Sequence, residues 1–445
     1  MHSFRIVLFS AGMAFLSAAS LHVQGQAGNP QRPNVVLIIT DDVGYGDFGA
    51  YGAPDIKTPN IDRLARDGVK LTDFYAAPVC TPTRASLISG RYQQRVGLED
   101  ALTSEGPRDQ GLLPTGRSLP QLLRNSKYAT GLIGKWHLGW KPEFDPSEHG
   151  FDYFFGFKSG AIDFYTHESA GGLPDLFENK EPVHVDGYMT DLITARAVRF
   201  IEQHAREPFF LDVSYNAAHW PFQVPDHYSK AARVAYQGPL ENPSPTRADY
   251  AAMLERADEG VGQIMRTLER LGLERNTLVI FTNDNGGEWL SRNAPLFNRK
   301  GTLWEGGIRV ASIFRWPGRL PAGKSSDQPG IFMDLTSSIL AATNTPVPRD
   351  ARLEGLNLLP ILEGRSPHVE RTFFWRTANQ KAVRRGDWKL LVNGTAMFLF
   401  NLRADISERV DLAAQRIDLI REMRPLIAAW EADVDAERKA ALPVK

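Results

Sequence analysis

The sequence predicts an α/β fold, in which a large, mainly parallel sheet is sandwiched by helices and followed by a smaller C-terminal α+β unit. Three observations carry this. Continuous apolar runs rich in Val, Ile and Leu recur between residues 34 and 314, the mark of strands buried on both faces of a sheet. Helical stretches alternate with them, which is the order that builds parallel strands. Beyond residue 345 the pattern changes to short strands in close succession and one long amphipathic stretch. A chain of 445 residues also exceeds the usual size of a single core, so two domains are expected, at residues 28–345 and 346–445.

The elements run in order. His2 and Arg5 precede an apolar stretch over residues 6–19, and Gly25 and Ala27 stand near a cleavage point. Residues 1–27 therefore read as a secretory signal peptide, and the chain as exported, periplasmic or secreted. The apolar stretch is short and interrupted by serines, which ranks a membrane anchor well behind, and no later segment is long enough to span a bilayer. Strands are expected at residues 34–40 (N-V-V-L-I-I-T), 128–133, 209–215, 277–282 and 310–314. Helices are expected at residues 59–67, 118–125, 189–205 and 248–271, and a polar, proline-containing surface loop at residues 237–247. The proline-containing segment 344–349 marks the domain boundary. Past it, residues 372–376, 380–384, 388–392 and 397–400 read as short antiparallel strands. Residues 417–439 read as a helix with Ile420, Met423, Ile427 and Trp430 on one face, bent or delayed by Pro425.

Composition narrows the function. Hydrophobic residues make up 42% and charged residues 23%, as in an ordinary globular protein. Fifty-one basic residues against fifty-two acidic ones argue against a nucleic-acid binder, whose affinity needs a basic surface.

The residues just past each strand are more telling than the strands themselves. The first strand runs into Asp41-Asp42, the second into Gly134-Lys135-Trp136-His137, the third leads to Asn216 and His219, and the fourth ends in Asn283-Asp284-Asn285. Ligands of open α/β sheets bind beyond the carboxyl ends of the strands, so these side chains are expected at one edge. Singly, an Asp after a strand is a turn former and a His or Lys a structural or solvated residue. Jointly they point to a site. Asp41, Asp42, Asp284 and Asn285 form an all-oxygen set suited to a hard cation, Ca²⁺ ahead of Mg²⁺, rather than zinc. Adjacent Asp41 and Asp42 can converge only where the strand ends and the chain turns.

The single cysteine, Cys80, is either a small buried thiol or a residue kept for chemistry. It opens Cys80-Thr81-Pro82-Thr83-Arg84, where Pro82 suits the first position of a helix. Cys80 would then stand just before a helix N-terminus, with Arg84 near the same face, a setting that favours an anion.

C-x-P-x-R at residues 80–84, followed by Gly90-Arg91, resembles the signature of the formylglycine-dependent sulfatases, the arylsulfatase family of the alkaline phosphatase superfamily. The likeness begins at Pro33-Asn34 and runs in the same order through Gly134-Lys135-Trp136-His137-Leu138-Gly139, Asn283-Asp284-Asn285-Gly286, Lys300-Gly301 and Arg385-Gly386-Asp387-Trp388-Lys389-Leu390. The resemblance implies an alkaline-phosphatase-like sheet and a small C-terminal domain of four strands and a helix. It also implies that a formylglycine-generating or anaerobic sulfatase-maturing enzyme oxidises Cys80 to an aldehyde that hydrates to a gem-diol. One diol hydroxyl attacks sulfur, and deprotonation of the other then expels sulfate as the aldehyde re-forms. By motif match, Asp41, Asp42, Asp284, Asn285 and an oxygen of modified Cys80 would bind Ca²⁺. Arg84 would hold the diol, and Lys135 and Lys300 would clamp the sulfate. His219 would protonate the leaving oxygen, and His137 would act as base when sulfate is eliminated.

Two rivals stand beside this reading. Phosphodiesterases and phosphonate hydrolases of the same superfamily also carry C-x-P-x-R, but their two-metal sites place Asp-His where this chain has Asp284-Asn285. A non-catalytic binder of sulfated glycans is the other, if Cys80 stays unmodified. Export and the resemblance point to a sulfated carbohydrate as substrate, with small aryl sulfates also accepted. Asp163 and His167, in the aromatic-rich segment 151–167, are candidate sugar ligands, together with Trp220, Trp304 and Glu305.

Overall fold

The run N-V-V-L-I-I-T forms the central strand of a large sheet, and all seven of its residues are buried. The computed structural model describes residues 32–103, 108–225 and 244–441, together with Met1 and His2. The signal-peptide stretch (residues 3–27) and most of the 237–247 loop lie outside the described residues. The main strands of the sheet are β1 (Asn34–Thr40), β2 (Val69–Tyr75), β3 (Ala129–Lys135), β4 (Tyr153–Phe157), β5 (Phe209–Ser214), β6 (Thr277–Asn283) and β7 (Arg309–Arg315). They lie in the order β2-β7-β6-β1-β5-β3-β4, with short strands at both edges completing eleven. β1 pairs in parallel with β5 and β6, and β3 in parallel with β4 and β5.

The helices are α1 (Pro59–Arg66), α2 (Cys80–Ser89), α3 (Leu119–Asn125), α4 (Met189–Gln203), α5 (Arg247–Arg270) and α6 (Met333–Ala342). Alternation along β1 assigns each layer. Val36 and Ile38 pack in one core with residues of α1, α4 and α5. Val35, Leu37 and Ile39 pack in the other with residues of α2, α3 and α6. A strand covered on both faces has no polar position to spare, which is why it is apolar throughout.

Two features differ from the sequence reading. β2 (V-K-L-T-D-F-Y) and β4 (Y-F-F-G-F) were not expected: Lys70, Thr72 and Asp73 break the apolar run that marks a buried strand, and the aromatic-rich segment 151–157 reads from sequence as core packing or a loop at the site. β7 runs antiparallel to both β2 and β6, so the sheet is mixed at that side.

The C-terminal part matches expectation in kind. β8 (Thr372–Arg376), β9 (Gln380–Arg385), β10 (Trp388–Asn393) and β11 (Ala396–Asn401) form an antiparallel sheet in sequence order. The helix α7 (Ile417–Ala441) covers one face, with Met423 and Ile427 packed on Val383, Leu390 and Leu399. It continues through Pro425 rather than starting after it. Trp375, Ala382, Leu391 and Trp430 pack in one cluster with Tyr75, Leu303 and Ile308 of the α/β part. Among the described residues, no helix is long and apolar enough to cross a membrane.

Candidate active site

The carboxyl ends of β1, β3 and β6 and the start of α2 meet in one buried pocket. Asp42 has φ of 58°, a left-handed reversal directly after β1. That turn removes the alternation that would have pointed Asp41 and Asp42 to opposite faces. Side-chain oxygens of Asp41 and Asp42 and a ring nitrogen of His219 lie within 4.8 Å of one another. The same holds for Asp41, Cys80 Sγ and Asp284. β6 delivers Asp284 and Asn285, and the glycine after them is required. A Cβ on Gly286 would stand 1.9 Å from the Gly306 carbonyl oxygen, so only glycine lets these two segments touch.

Cys80 is the first residue of α2, and its thiol is buried. α2 has no polar face, because every residue from Cys80 to Ile88 is buried. Its end is set by Gly90, which has φ of 68° and donates to the Ser86 carbonyl. Pro82 falls in the first turn, two residues after Cys80 rather than at the first helical position. Burial pushes the Cys80 thiol pKa up, against the pull of Lys135 and Lys300. As a thiol it is a poor nucleophile here.

Three acid–base pairs surround it. Lys135 Nζ donates to Asp41 Oδ2 at 2.6 Å, Lys300 Nζ to Asp42 Oδ2 at 2.6 Å, and Arg84 to Asp284 Oδ2 at 2.9 Å. Arg84 also donates to the Lys135 carbonyl at 3.0 Å, which ties α2 to the end of β3. Burial opposes the Lys135 charge, but Asp41 overrides it and holds the pKa above the usual lysine value. Burial raises Asp284 to about 6, reinforced by Asp41. Asn285 donates from Nδ2 to Asp42 Oδ1 at 2.7 Å. Two acceptors are left over. Asp41 Oδ1 and Asn285 Oδ1 are buried and have no hydrogen-bond partner. Orphaned oxygens in a set of three carboxylates and an amide suit a hard cation, so the residues present fit Ca²⁺.

The two histidines have assigned tautomers. His137 Nε2 lies 2.7 Å from the Leu102 carbonyl, which only accepts, so Nε2 carries the proton and Nδ1 keeps its lone pair. That Nδ1 is buried and unpartnered. Burial holds His137 well below the usual imidazole pKa. A Cβ on Gly160 would stand 2.6 Å from the His137 ring, so this ring is also fixed by close packing. His219 donates from Nδ1 to the Trp220 carbonyl at 2.6 Å. Its Nε2 therefore accepts, facing Lys300 Nζ at 3.5 Å and Asp42 Oδ2 at 3.4 Å. Burial lowers its pKa to about 4, although Asp42 opposes the shift.

The pocket thus gathers Asp41, Asp42, Cys80, Arg84, Lys135, His219, Asp284, Asn285 and Lys300, and Thr81 Oγ1 joins His137 to it by donating to the His137 carbonyl at 3.1 Å. Sequence reasoning missed Glu288, whose carboxylate lies 3.6 Å from Lys300 Nζ. It sits in a loop with no strand end to flag it. Asn216 is buried with neither amide atom partnered.

The suggested sugar ligands fare differently. Glu305 is fully buried between Lys389, Arg309 and Tyr75, so a sugar has no access to it. Asp163 Oδ1 accepts from the Tyr165 and Thr166 amides of its own turn, and Oδ2 accepts from Gln223, so both oxygens are engaged. His167 is buried on the same loop. Trp304 packs against Phe297, Phe398 and Phe400 at the contact with the C-terminal sheet. Of these four, only Glu305 is enclosed on all sides; the other three are held as just described. Trp220 alone is exposed, beside His219.

Comparison with known proteins decides the family. The sulfatase family model matches residues 33–345. The chain belongs to the sulfatase family. It is 34% identical to N-acetylgalactosamine-6-sulfatase of Canis lupus familiaris, over 84% of this chain and 74% of the relative. It is 32% identical to arylsulfatase J of Mus musculus, over 95% of this chain and 78% of the relative. Among solved structures, Ps i-CgsB aligns with a TM-score of 0.81 and 32% identity, covering 90% of this chain and 93% of that one. The same protein has also been solved in complex with k-i-k-neocarrahexaose. This sulfatase is accordingly a sulfuric ester hydrolase, and its mixed sheet with a C-terminal four-stranded sheet and helix is the architecture of those structures.

Proposed function

We propose that this sulfatase removes sulfate from a sulfated carbohydrate, with small aryl sulfates also accepted, using an oxidised Cys80 and one Ca²⁺. The observation that carries the reading is the setting of Cys80. A buried thiol of raised pKa opens α2 inside a ring of three acid–base pairs, next to two orphaned oxygens. Oxidation to the aldehyde hydrate would supply a hydroxyl nucleophile that the thiol at this place is not. Asp41, Asp42, Asp284 and Asn285 would hold Ca²⁺, which when bound supplies positive charge that polarises a sulfate oxygen and acidifies the nucleophile.

The remaining roles belong to the chain's own side chains. Arg84, anchored by Asp284 and the Lys135 carbonyl, orients the residue at position 80. Lys135 and Lys300 bring two fixed ammonium groups to the sulfate oxygens, where charge develops as the ester bond breaks. The proton for the leaving alcohol reaches it through the facing pair of Lys300 Nζ and His219 Nε2, 3.5 Å apart. His137 Nδ1, with its free lone pair, takes the proton released when sulfate departs. The carbohydrate assignment is supported by the N-acetylgalactosamine-6-sulfatase relative and by the neocarrahexaose complex of Ps i-CgsB. We assign residues 28–345 to the catalytic domain and 346–445 to the C-terminal subdomain. Residues 1–27 would act as signal peptide, and a formylglycine-generating or anaerobic maturing enzyme would act on Cys80.

Peptide mass spectrometry across Cys80, paired with sulfate release from a panel of sulfated sugars and 4-nitrophenyl sulfate, tests this. The expected result is the mass of an aldehyde at position 80 and Ca²⁺-dependent sulfate release. Full turnover with an unmodified thiol would refute it. A Ca²⁺ titration followed by thermal melting gives a readout independent of activity, and Asp284→Asn should reduce the Ca²⁺-induced shift in Tm.

A further inference from the structure

Among the described residues, the exposed aromatic rings of this sulfatase all lie close in sequence to residues of the pocket. They are Trp220, Trp289 and Phe297, at 38%, 61% and 49%. Each stands beside the pocket in the chain: Trp220 follows His219, Trp289 follows Glu288, and Phe297 precedes Lys300 by three residues. Two of them make ring contacts with other aromatic residues. The Trp289 ring lies 6.1 Å from Phe222, two residues past Trp220, and the Phe297 ring lies 4.9 Å from Trp304. Glu288, the chain neighbour of Trp289, lies 3.6 Å from Lys300 Nζ, which sets Trp289 close to the pocket.

The loop that presents them is built to hold its shape. Asn293 accepts from the Gly287 amide at 2.9 Å and donates to the carbonyls of Gly287 and Asn298. Leaving a tryptophan largely in water forgoes about 2 kcal/mol of burial. Trp289 at 61% exposure does so fully and Phe297 and Trp220 in part, each next in the chain or close in sequence to a pocket residue, which implies an occupant.

The surroundings select its chemistry. Arg292 and Arg299 are exposed in the same loop and form no ion pair among the described residues. Aromatic faces interleaved with hydrogen-bonding and cationic side chains suit a molecule with apolar C–H faces, hydroxyl edges and negative charges. A sterol or a small aryl group has no use for the arginines.

We infer that Trp220, Trp289 and Phe297, with Arg292 and Arg299, form a carbohydrate-binding rim for a sulfated oligosaccharide, stacking on its rings and pairing with sulfates other than the one removed. This rests on the sulfatase reading of the pocket and extends it from the sulfate group to the chain that carries it. The ring facing Trp289 belongs to the leaving-group side, because the rim flanks Lys300 and His219. The arginines predict preference for a polysulfated chain over a singly sulfated one.

The test compares Trp289→Ala, Phe297→Ala and Arg299→Ala with the unaltered enzyme. The probes are sulfated galactan and glycosaminoglycan hexasaccharides, N-acetylgalactosamine 6-sulfate and 4-nitrophenyl sulfate. For the hexasaccharide that the enzyme desulfates best, Trp289→Ala should raise KM about tenfold with little change in kcat. The ratio of kcat/KM for that hexasaccharide to kcat/KM for 4-nitrophenyl sulfate should fall about tenfold. Arg299→Ala should lower the ratio less, and its effect should fade in high salt. Equal losses on both substrates, or an unchanged ratio, would overturn the rim. An enzyme that cleaves 4-nitrophenyl sulfate but neither binds nor desulfates any hexasaccharide overturns the rim and leaves the sulfatase chemistry standing. An enzyme that releases no sulfate from any probe overturns the chemistry beneath it.

Discussion

Two buried clusters of charge lie in this molecule, and they are built to opposite standards. One is the pocket around Cys80. The other is a clasp joining the α/β part to the C-terminal sheet. There Lys389 Nζ sits 2.8 Å from Glu305 Oε1 and 2.8 Å from Glu408 Oε1, with all three side chains fully buried. The other oxygen of Glu305 accepts from Tyr75 and Arg309, each at 2.7 Å, and that of Glu408 accepts from the Glu305 amide at 2.7 Å. Three carboxylate oxygens of the clasp accept hydrogen bonds, and the fourth, Glu408 Oε1, accepts none but is held in the ion pair with Lys389 at 2.8 Å. In the pocket, Asp41 Oδ1 and Asn285 Oδ1 have no hydrogen-bond partner. A buried charge that is fully matched is structure. One left with orphaned oxygens is waiting for a ligand.

The largest expected effect breaks the chemistry and spares the fold. Cys80→Ala should reduce sulfate release by at least about 10³-fold, since no other group in the pocket is a nucleophile toward sulfur. Its thermal melt should stay within a few degrees of the unaltered enzyme; a residual rate near full activity would sink the assignment. The mirror experiment is Lys389→Met. Removing the ammonium leaves Glu408 without its cation and Glu305 paired with Arg309 alone, which should destabilise the chain by about 3–5 kcal/mol in denaturant unfolding. A loss under about 1 kcal/mol would mean that the clasp is not a matched buried pair. Between these lies His219→Ala. It should slow sugar sulfates by about 10²-fold and 4-nitrophenyl sulfate far less, because an activated phenolate leaves without a proton. Equal slowing on both would remove His219 from the proton path to the leaving oxygen. The smallest effect sharpens the contrast. Asn285→Ala should weaken the Ca²⁺-induced rise in Tm while leaving stability without Ca²⁺ nearly unchanged, as calorimetry with and without a chelator would report.

The contrast between pocket and clasp also explains which residues were legible in the sequence. Asp41, Asp42, Asp284, Lys135 and His219 were readable because each comes after an apolar run that can only be a buried strand, and such strands end at one edge. Cys80 and Arg84 were readable because Pro82 and Gly90 bracket a helix. Glu305 was misread. It lies five residues after Lys300, and nothing in the local sequence reveals that Lys389, eighty-four positions later, encloses it. Asp163 is the opposite case: its partners, the Tyr165 and Thr166 amides, are so close that a turn is the simpler account. Trp289 and Phe297 carried no signal at all. An aromatic residue in a loop looks the same whether it packs inward or stands in water.

By itself the sequence determined five of the seven main strands and the chemical types placed at their ends, because hydrophobic period and turn residues act over a few positions. Only the tertiary structure decided which charges face each other. The left-handed turn at Asp42 brings two neighbouring carboxylates into one pocket, and the Gly286–Gly306 contact seats the Glu305 segment against the end of β6. Those outcomes depend on distances between segments far apart in the chain, where Coulomb and packing energies are set by a few tenths of an ångström that no local pattern encodes.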